Sequence, residues 1–173
     1  MGPASGPYPN AIEQELLLHH IPPAIRGTCG RSNAYDHTVF LAAVSCSPRV
    51  PGASIEYMYA HNGSAMKIYS NNEITAAGLN FPTSGRCAGG ADAADTWTRT
   101  DDIGHIEQHF SRQAEGRVLC YLAGGRAILE WTDSTTGIYA RATAPTAERR
   151  TLYNWWQSKA GPGALEMGAM DSG

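Results

Sequence analysis

Cysteine placement constrains this chain more than any other feature of the sequence. Cys29, Cys46, Cys87 and Cys120 are even in number and widely spaced, with no C-x-x-C pair. Neither a zinc knuckle nor a dithiol redox site fits that spacing. Two disulfides are the economical arrangement, and three connectivities are open to it. Neighbours in the chain, Cys29 with Cys46 and Cys87 with Cys120, are favoured because each pair brackets a coherent local unit. On the chain-entropy account each closed loop contributes about 3 kcal/mol. The competing arrangement is four buried thiols in a cytosolic protein. Disulfides persist in oxidising compartments, so the paired reading places the chain outside the cytoplasm, at the cell surface or in the envelope.

The rest of the sequence has to supply the route there. Residues Met1 to Pro9 carry neither a basic n-region nor an apolar h-region, so they do not read as a signal peptide. No segment approaches the roughly 18 consecutive apolar residues of a membrane span. The chain is therefore expected to be a soluble piece of a longer precursor, or a mature domain freed of its anchor. Residues 1–9 read as a Pro/Gly-rich linker or remnant, 10–160 as one domain and 161–173 as a flexible tail. With 42% hydrophobic and 17% charged residues, disorder throughout is excluded. Lys and Arg total 13 against 16 Asp and Glu, and the longest basic run is Arg149-Arg150, so nucleic acid is not an expected partner.

Local patterns predict an α+β fold, an antiparallel sheet with amphipathic helices over one face. Asn10 and Glu13 have the form of a capping box opening a helix that Pro22-Pro23 closes. Apolar residues from Thr38 to Ser47 read as a buried strand carrying Cys46, and Ser54 to Ala60 alternates as a second strand. Asn62-Gly63 ends that strand, and Ser64 is expected to cap a helix over 65–77. Asn62-Gly63-Ser64 also matches a glycosylation acceptor and is read as turn and cap instead. Residues 78–102 read as irregular. Gly124-Gly125 is a hairpin turn that sets Leu122 opposite Ala127, Cys120 opposite Leu129 and Val118 opposite Trp131. The reverse face, with Leu119, Tyr121, Ile128 and Glu130, is expected to point outward because it carries the charge. Ile138 to Ala144 forms another strand, and a closing helix from Pro145-Thr146 carries Leu152, Trp155 and Trp156.

Few residues point to chemistry. There is no G-x-S-x-G elbow, and paired cysteines leave no thiol nucleophile. His105 and His109 are four apart and would share one side of a helix, yet Glu107 faces away and a third ligand is missing, so no metal site is expected beyond these two candidates. Asp101-Asp102 read as the acidic first turn of a short helix through Phe110. No cofactor is expected. Amphipathic rings favour clefts, which makes Tyr57, Tyr59, Trp155 and Trp156 the candidate ligand-binding residues.

Several short pieces occur together: Glu15 to Leu18, Ile21-Pro22, Arg26 and Cys29; Val44 to Pro48; Gly116 to Tyr121; Trp131 to Asp133; and Leu152 with Trp155-Trp156. In this combination the chain resembles the extracytoplasmic domains joined, through one membrane span and a Pro-rich linker, to actinobacterial receptor-like Ser/Thr protein kinases and related envelope proteins. The resemblance covers most of residues 12–158 and rests on structural motifs. It implies a non-catalytic sensor or interaction module, for which it supplies no ligand residues. The expected partners are a small molecule, a cell-wall fragment or a protein, with a homodimer as a further expectation and membrane contact only through a span outside this chain. The alternative is a small secreted enzyme or resistance protein acting on a cell-wall or antibiotic substrate, metal-dependent through His105, Glu107 and His109.

Overall fold

Two glycines build the centre of the sheet. Gly124 and Gly125 have φ of 58° and 72°, the left-handed pair that a two-residue hairpin turn needs and that side chains with a Cβ resist. They join β5 (Phe110–Ala123) to β6 (Arg126–Asp133). Leu122 faces Ala127, Cys120 faces Leu129 and Val118 faces Trp131, the register the turn predicts. The computed structural model describes residues 11–103, 110–162 and 164. Around the hairpin it places β1 (Gly30–Ser32), β2 (Phe40–Cys46), β3 (Ser54–Ala60), β4 (Ala93–Ile103) and β7 (Ile138–Pro145) in one seven-stranded sheet of order β1-β2-β3-β7-β6-β5-β4. Every neighbouring pair is antiparallel. The helices are α1 (Ala11–His19), α2 (Pro23–Arg26), α3 (Gly63–Ala76) and α4 (Arg149–Lys159).

Side chains alternate across a strand, so each strand contributes to two faces. One face presents Val44, Cys46, Ile55, Tyr57, Trp97, Val118, Cys120, Leu129, Trp131 and Ala140, and it buries Leu17 of α1, Ile25 of α2, and Leu152 and Trp156 of α4. Ala140, Ala142 and Ala144 are fully buried there. Their small side chains leave room for the helices to approach, which explains why β7 is poor in large residues. The opposite face is covered by α3. Met66 packs with Phe40, Ala43, Met58 and Tyr139, and Ile74 packs with Ala94, Leu119, Tyr121 and Ile128. Helix α3 thus crosses from the β2-β3-β7 side of the sheet to the β4-β5-β6 side.

Both disulfides form as the spacing suggested. Cys29–Cys46 ties the chain after α2 to the end of β2, and Cys87–Cys120 ties a 3-10 turn, Cys87–Gly89, to β5. The Trp131-Thr132-Asp133 motif also has a structural account. The Thr132 carbonyl accepts from Trp97 Nε1 at 2.8 Å, and its hydroxyl accepts from the Arg117 N–H at 2.9 Å. Gly116 lies so close that a Cβ on it would collide with the Thr132 carbonyl. Asp133 Oδ1 accepts from the Thr135 N–H and hydroxyl, closing the turn into β7.

Four expectations are corrected. Helices cover both faces of the sheet rather than one, because α3 packs opposite the other three. The cap of α3 is Asn62, whose Oδ1 accepts from the Ala65 N–H at 2.8 Å, in place of Ser64. Residues 93–103 are an edge strand rather than irregular chain or a helix start, and Asp101 and Asp102 pair with Arg112 and Ser111 of β5. Their polar composition hid a strand that is paired on one side only. Finally, Glu130 does not face water: it is 1% exposed beneath α3.

Candidate functional site

The antiparallel register sets three charged residues abreast on the α3 face. Glu56 of β3 pairs with Arg141 of β7, and Arg141 pairs with Glu130 of β6. Directly opposed side chains on one face lie close enough to interact, so this ladder is fixed by the backbone rather than by flexible side chains. Glu130 is its buried end. Tyr121 donates to Oε2 at 3.0 Å, Tyr139 donates to Oε1 at 2.9 Å, and Arg141 Nε stands 3.8 Å from Oε1.

A buried carboxylate is costly unless it is paired and hydrogen-bonded. Burial, with Glu73 of α3 adding like charge, pushes the Glu130 carboxyl up to about 7; the Tyr139 hydroxyl, Arg141 and the Tyr121 hydroxyl pull it partly back. The tyrosines move in the same direction. Burial and the Glu130 charge raise Tyr121 to about 12, and they hold Tyr139 well above the usual phenol range. Around neutral pH the cluster therefore exchanges one proton, at Glu130.

The other end of the ladder is open. Helix α3 covers only part of this face, and between it and the 33–39 loop lies a groove of about 440 Å³. Arg141 and Glu56 line it together with Tyr35, Asp36, Ser45 and Tyr69. The Arg141 side chain is 44% exposed. Glu56 Oε1 accepts from the Ser32 hydroxyl at 2.9 Å. Asp36 Oδ1 accepts from the Thr38 N–H and hydroxyl, which lowers its pKa and fixes the loop at the rim. Tyr35 donates to the Leu41 carbonyl at 3.3 Å, so the loop is tied to β2 as well. A guanidinium, two carboxylates, hydroxyls and two phenol rings on rigid elements can hold a small polar ligand by directed hydrogen bonds and ring contacts.

The aromatic residues expected at a ligand cleft lie on the other face of the sheet. Tyr57 is buried edge-on against Trp131, with ring centroids 5.8 Å apart, and its hydroxyl has no partner among the described residues. Trp156 is buried between Trp97, Trp131 and Tyr153, and its indole N–H likewise has no partner among the described residues. Tyr59 and Trp155 are half-buried at the margin of the same core. These four residues are not among those lining the groove. His105, Glu107 and His109 lie outside the described residues. Among the described residues no group of three or more His, Cys, Asp or Glu is placed to hold a metal ion.

Sequence reasoning did not single out Arg141 or Glu56, and it assigned Glu130 to the correct face of its hairpin but read that face as exposed. The available clue was the sign pattern: Glu130 and Arg141 fall opposite each other once β6 and β7 are aligned through the Thr136-Gly137 turn. The chain matches no known family model, no curated protein and no solved structure.

Proposed function

We propose that this is a non-catalytic extracytoplasmic ligand-sensing domain of a membrane-tethered bacterial protein, a receptor-like Ser/Thr kinase in the first instance. The groove beside α3 is its ligand site. The observation that carries the reading is the charged ladder ending in that groove, with Arg141 and Glu56 presented on paired strands and Tyr35 and Tyr69 beside them. Such a floor suits a small polar ligand bearing hydroxyl, amide or charged groups, the chemistry of a cell-wall fragment. The two disulfides support the compartment, since an oxidising environment preserves them. Signalling would follow by population shift, the ligand favouring one assembly or orientation of the tethered domain over another.

The alternative is a small secreted enzyme, and the near-neutral Glu130 carboxyl gives it a candidate proton donor. Arg141 rather than Glu130 lines the groove, so the geometry favours binding over acid-base chemistry. The test is to titrate soluble cell-wall fragments into the isotopically labelled chain and follow the amides by NMR. Shifts centred on Tyr35, Glu56, Tyr69 and Arg141, lost in Arg141→Ala, are expected. Turnover of the fragments, or shifts confined to the α4 face, would overturn the reading.

A further inference from the structure

Arg141 is the one cationic side chain among the described residues that line the groove. It serves two environments at once. Its Nε faces the Glu130 carboxylate at 3.8 Å, while 44% of the side chain remains exposed. Both carboxylates at the groove are held by neutral donors, Asp36 by Thr38 and Glu56 by the Ser32 hydroxyl, and keep their charge. An oxyanion entering the groove has one guanidinium to pair with, and it competes for that guanidinium with the Glu130 carboxylate behind it.

We propose that Arg141 is the anion-recognition group of the groove, taking the carboxylate or phosphodiester of a small ligand, and that the proton on Glu130 controls its strength. With Glu130 ionised, its carboxylate competes with a ligand for a guanidinium that also bonds Tyr121 and lies near Glu73. With Glu130 neutral that competitor is gone, and the exposed edge of the guanidinium is left to the ligand oxyanion. This inference rests on the groove being the ligand site.

The groups facing Glu130 are few. They are Tyr121 from β5, Tyr139 and Arg141 from β7, and Tyr69 and Glu73 from α3, with Glu56 of β3 beyond Arg141. Arg117 of β5 is held by Asn71 of α3 and Asp36 sits at the rim. The tyrosines near Glu130 remain protonated well above neutral pH. The His37 ring lies 4.1 Å from that of Tyr35, at the edge of the same loop.

Two probes that stay monoanionic from pH 5.5 to 8.5, N-acetyl-alanine and dimethyl phosphate, separate the sources. Each is titrated into the full chain while the Arg141 Nε–H and the Glu56 and Arg141 amides are followed by NMR. Neutralising a competing charge about 4 Å away should raise affinity by about tenfold or more. The wild type is thus expected to bind about tenfold more weakly at pH 8.5 than at pH 5.5. Glu130→Gln should keep the acid-side affinity throughout, and Arg141→Ala should bind at neither pH. In the wild type, which needs no variant to fold, the affinity midpoint should coincide with the titration of the Glu130 side-chain carbon. Binding of one probe alone supports the proposal and fixes the ligand source. Affinity independent of pH, a dependence retained in Glu130→Gln, or a midpoint away from that of Glu130 overturns it. If cell-wall fragments shift the groove amides while both probes fail, the ligand site stands and the anion gate falls. If nothing shifts those amides, both fall.

Discussion

Replacing Glu130 with Gln should change how the stability of this domain responds to pH. The Glu130 carboxyl moves from an ordinary 4.5 to about 7 in the fold, chiefly because it is buried. The folded chain then holds a proton more tightly than the unfolded chain, and the stabilisation from that proton is fully present below about pH 4.5. It is lost as pH rises through about 7. At about 1.4 kcal/mol per tenfold in proton affinity, the interval corresponds to about 3 kcal/mol. Glutamine keeps the shape and an oxygen acceptor for the Tyr121 and Tyr139 hydroxyls but carries no titrating group. Any pH-independent cost of the substitution, such as altered packing, is the same at every pH, and the attraction of Arg141 for the ionised carboxylate is already contained in the position of the Glu130 titration. The stability of Glu130→Gln minus that of the wild type should therefore rise by about 3 kcal/mol between pH 4.5 and pH 8. Urea unfolding followed by tryptophan fluorescence, with disulfides intact, measures it, since Trp97, Trp131 and Trp156 are all buried. Working with the difference removes the contribution of every group common to both proteins. A difference that stays flat to within about 1 kcal/mol would refute the reasoning, because Glu130 would then be titrating like an exposed carboxylate despite its burial.

Five other outcomes test the fold. Gly116→Ala should destabilise by about 1–3 kcal/mol, since its methyl group meets the Thr132 carbonyl and the β5-β6 pair must shift; chemical denaturation reads this directly. Trp156→Ala should cost about 3–5 kcal/mol by emptying the centre of the α4 face, visible as a lowered unfolding midpoint. Asn62→Ala should cost about 1 kcal/mol through loss of the α3 cap, and Ser64→Ala should cost much less. Intact mass under non-reducing conditions should fall short of the reduced mass by four hydrogens. Cys87→Ser with Cys120→Ser should lower stability by about 3–4 kcal/mol, with one disulfide remaining.

Local chemistry in the chain determined a good deal by itself. Gly124-Gly125 set the hairpin register, because two glycines readily take the left-handed pair that a tight two-residue turn uses here. A continuous apolar run located β2, alternation located β3 and the inward residues of β7, and the bracketing of local units selected both disulfides. These features depend on neighbours within a few residues or on one short loop. The edge strand β4 was less legible. β4 is polar because it is an edge strand, so neither apolar run nor strict alternation marked it.

The groove belonged to the tertiary structure alone. Alternation separates the two faces of a strand but does not say which of them is covered, and a charged residue argues for the exposed side. Helix α3, folding back over Tyr121, Tyr139 and Ile128, buries Glu130 where the hairpin pattern alone would leave it in water. Glu56 of β3, far away in sequence, then joins the β6-β7 pair of Glu130 and Arg141 in one ladder from a buried carboxyl to an open guanidinium. Turns and periods fixed which side chains share a face; only the packing of α3 decided which charges lost their water, and with them the site.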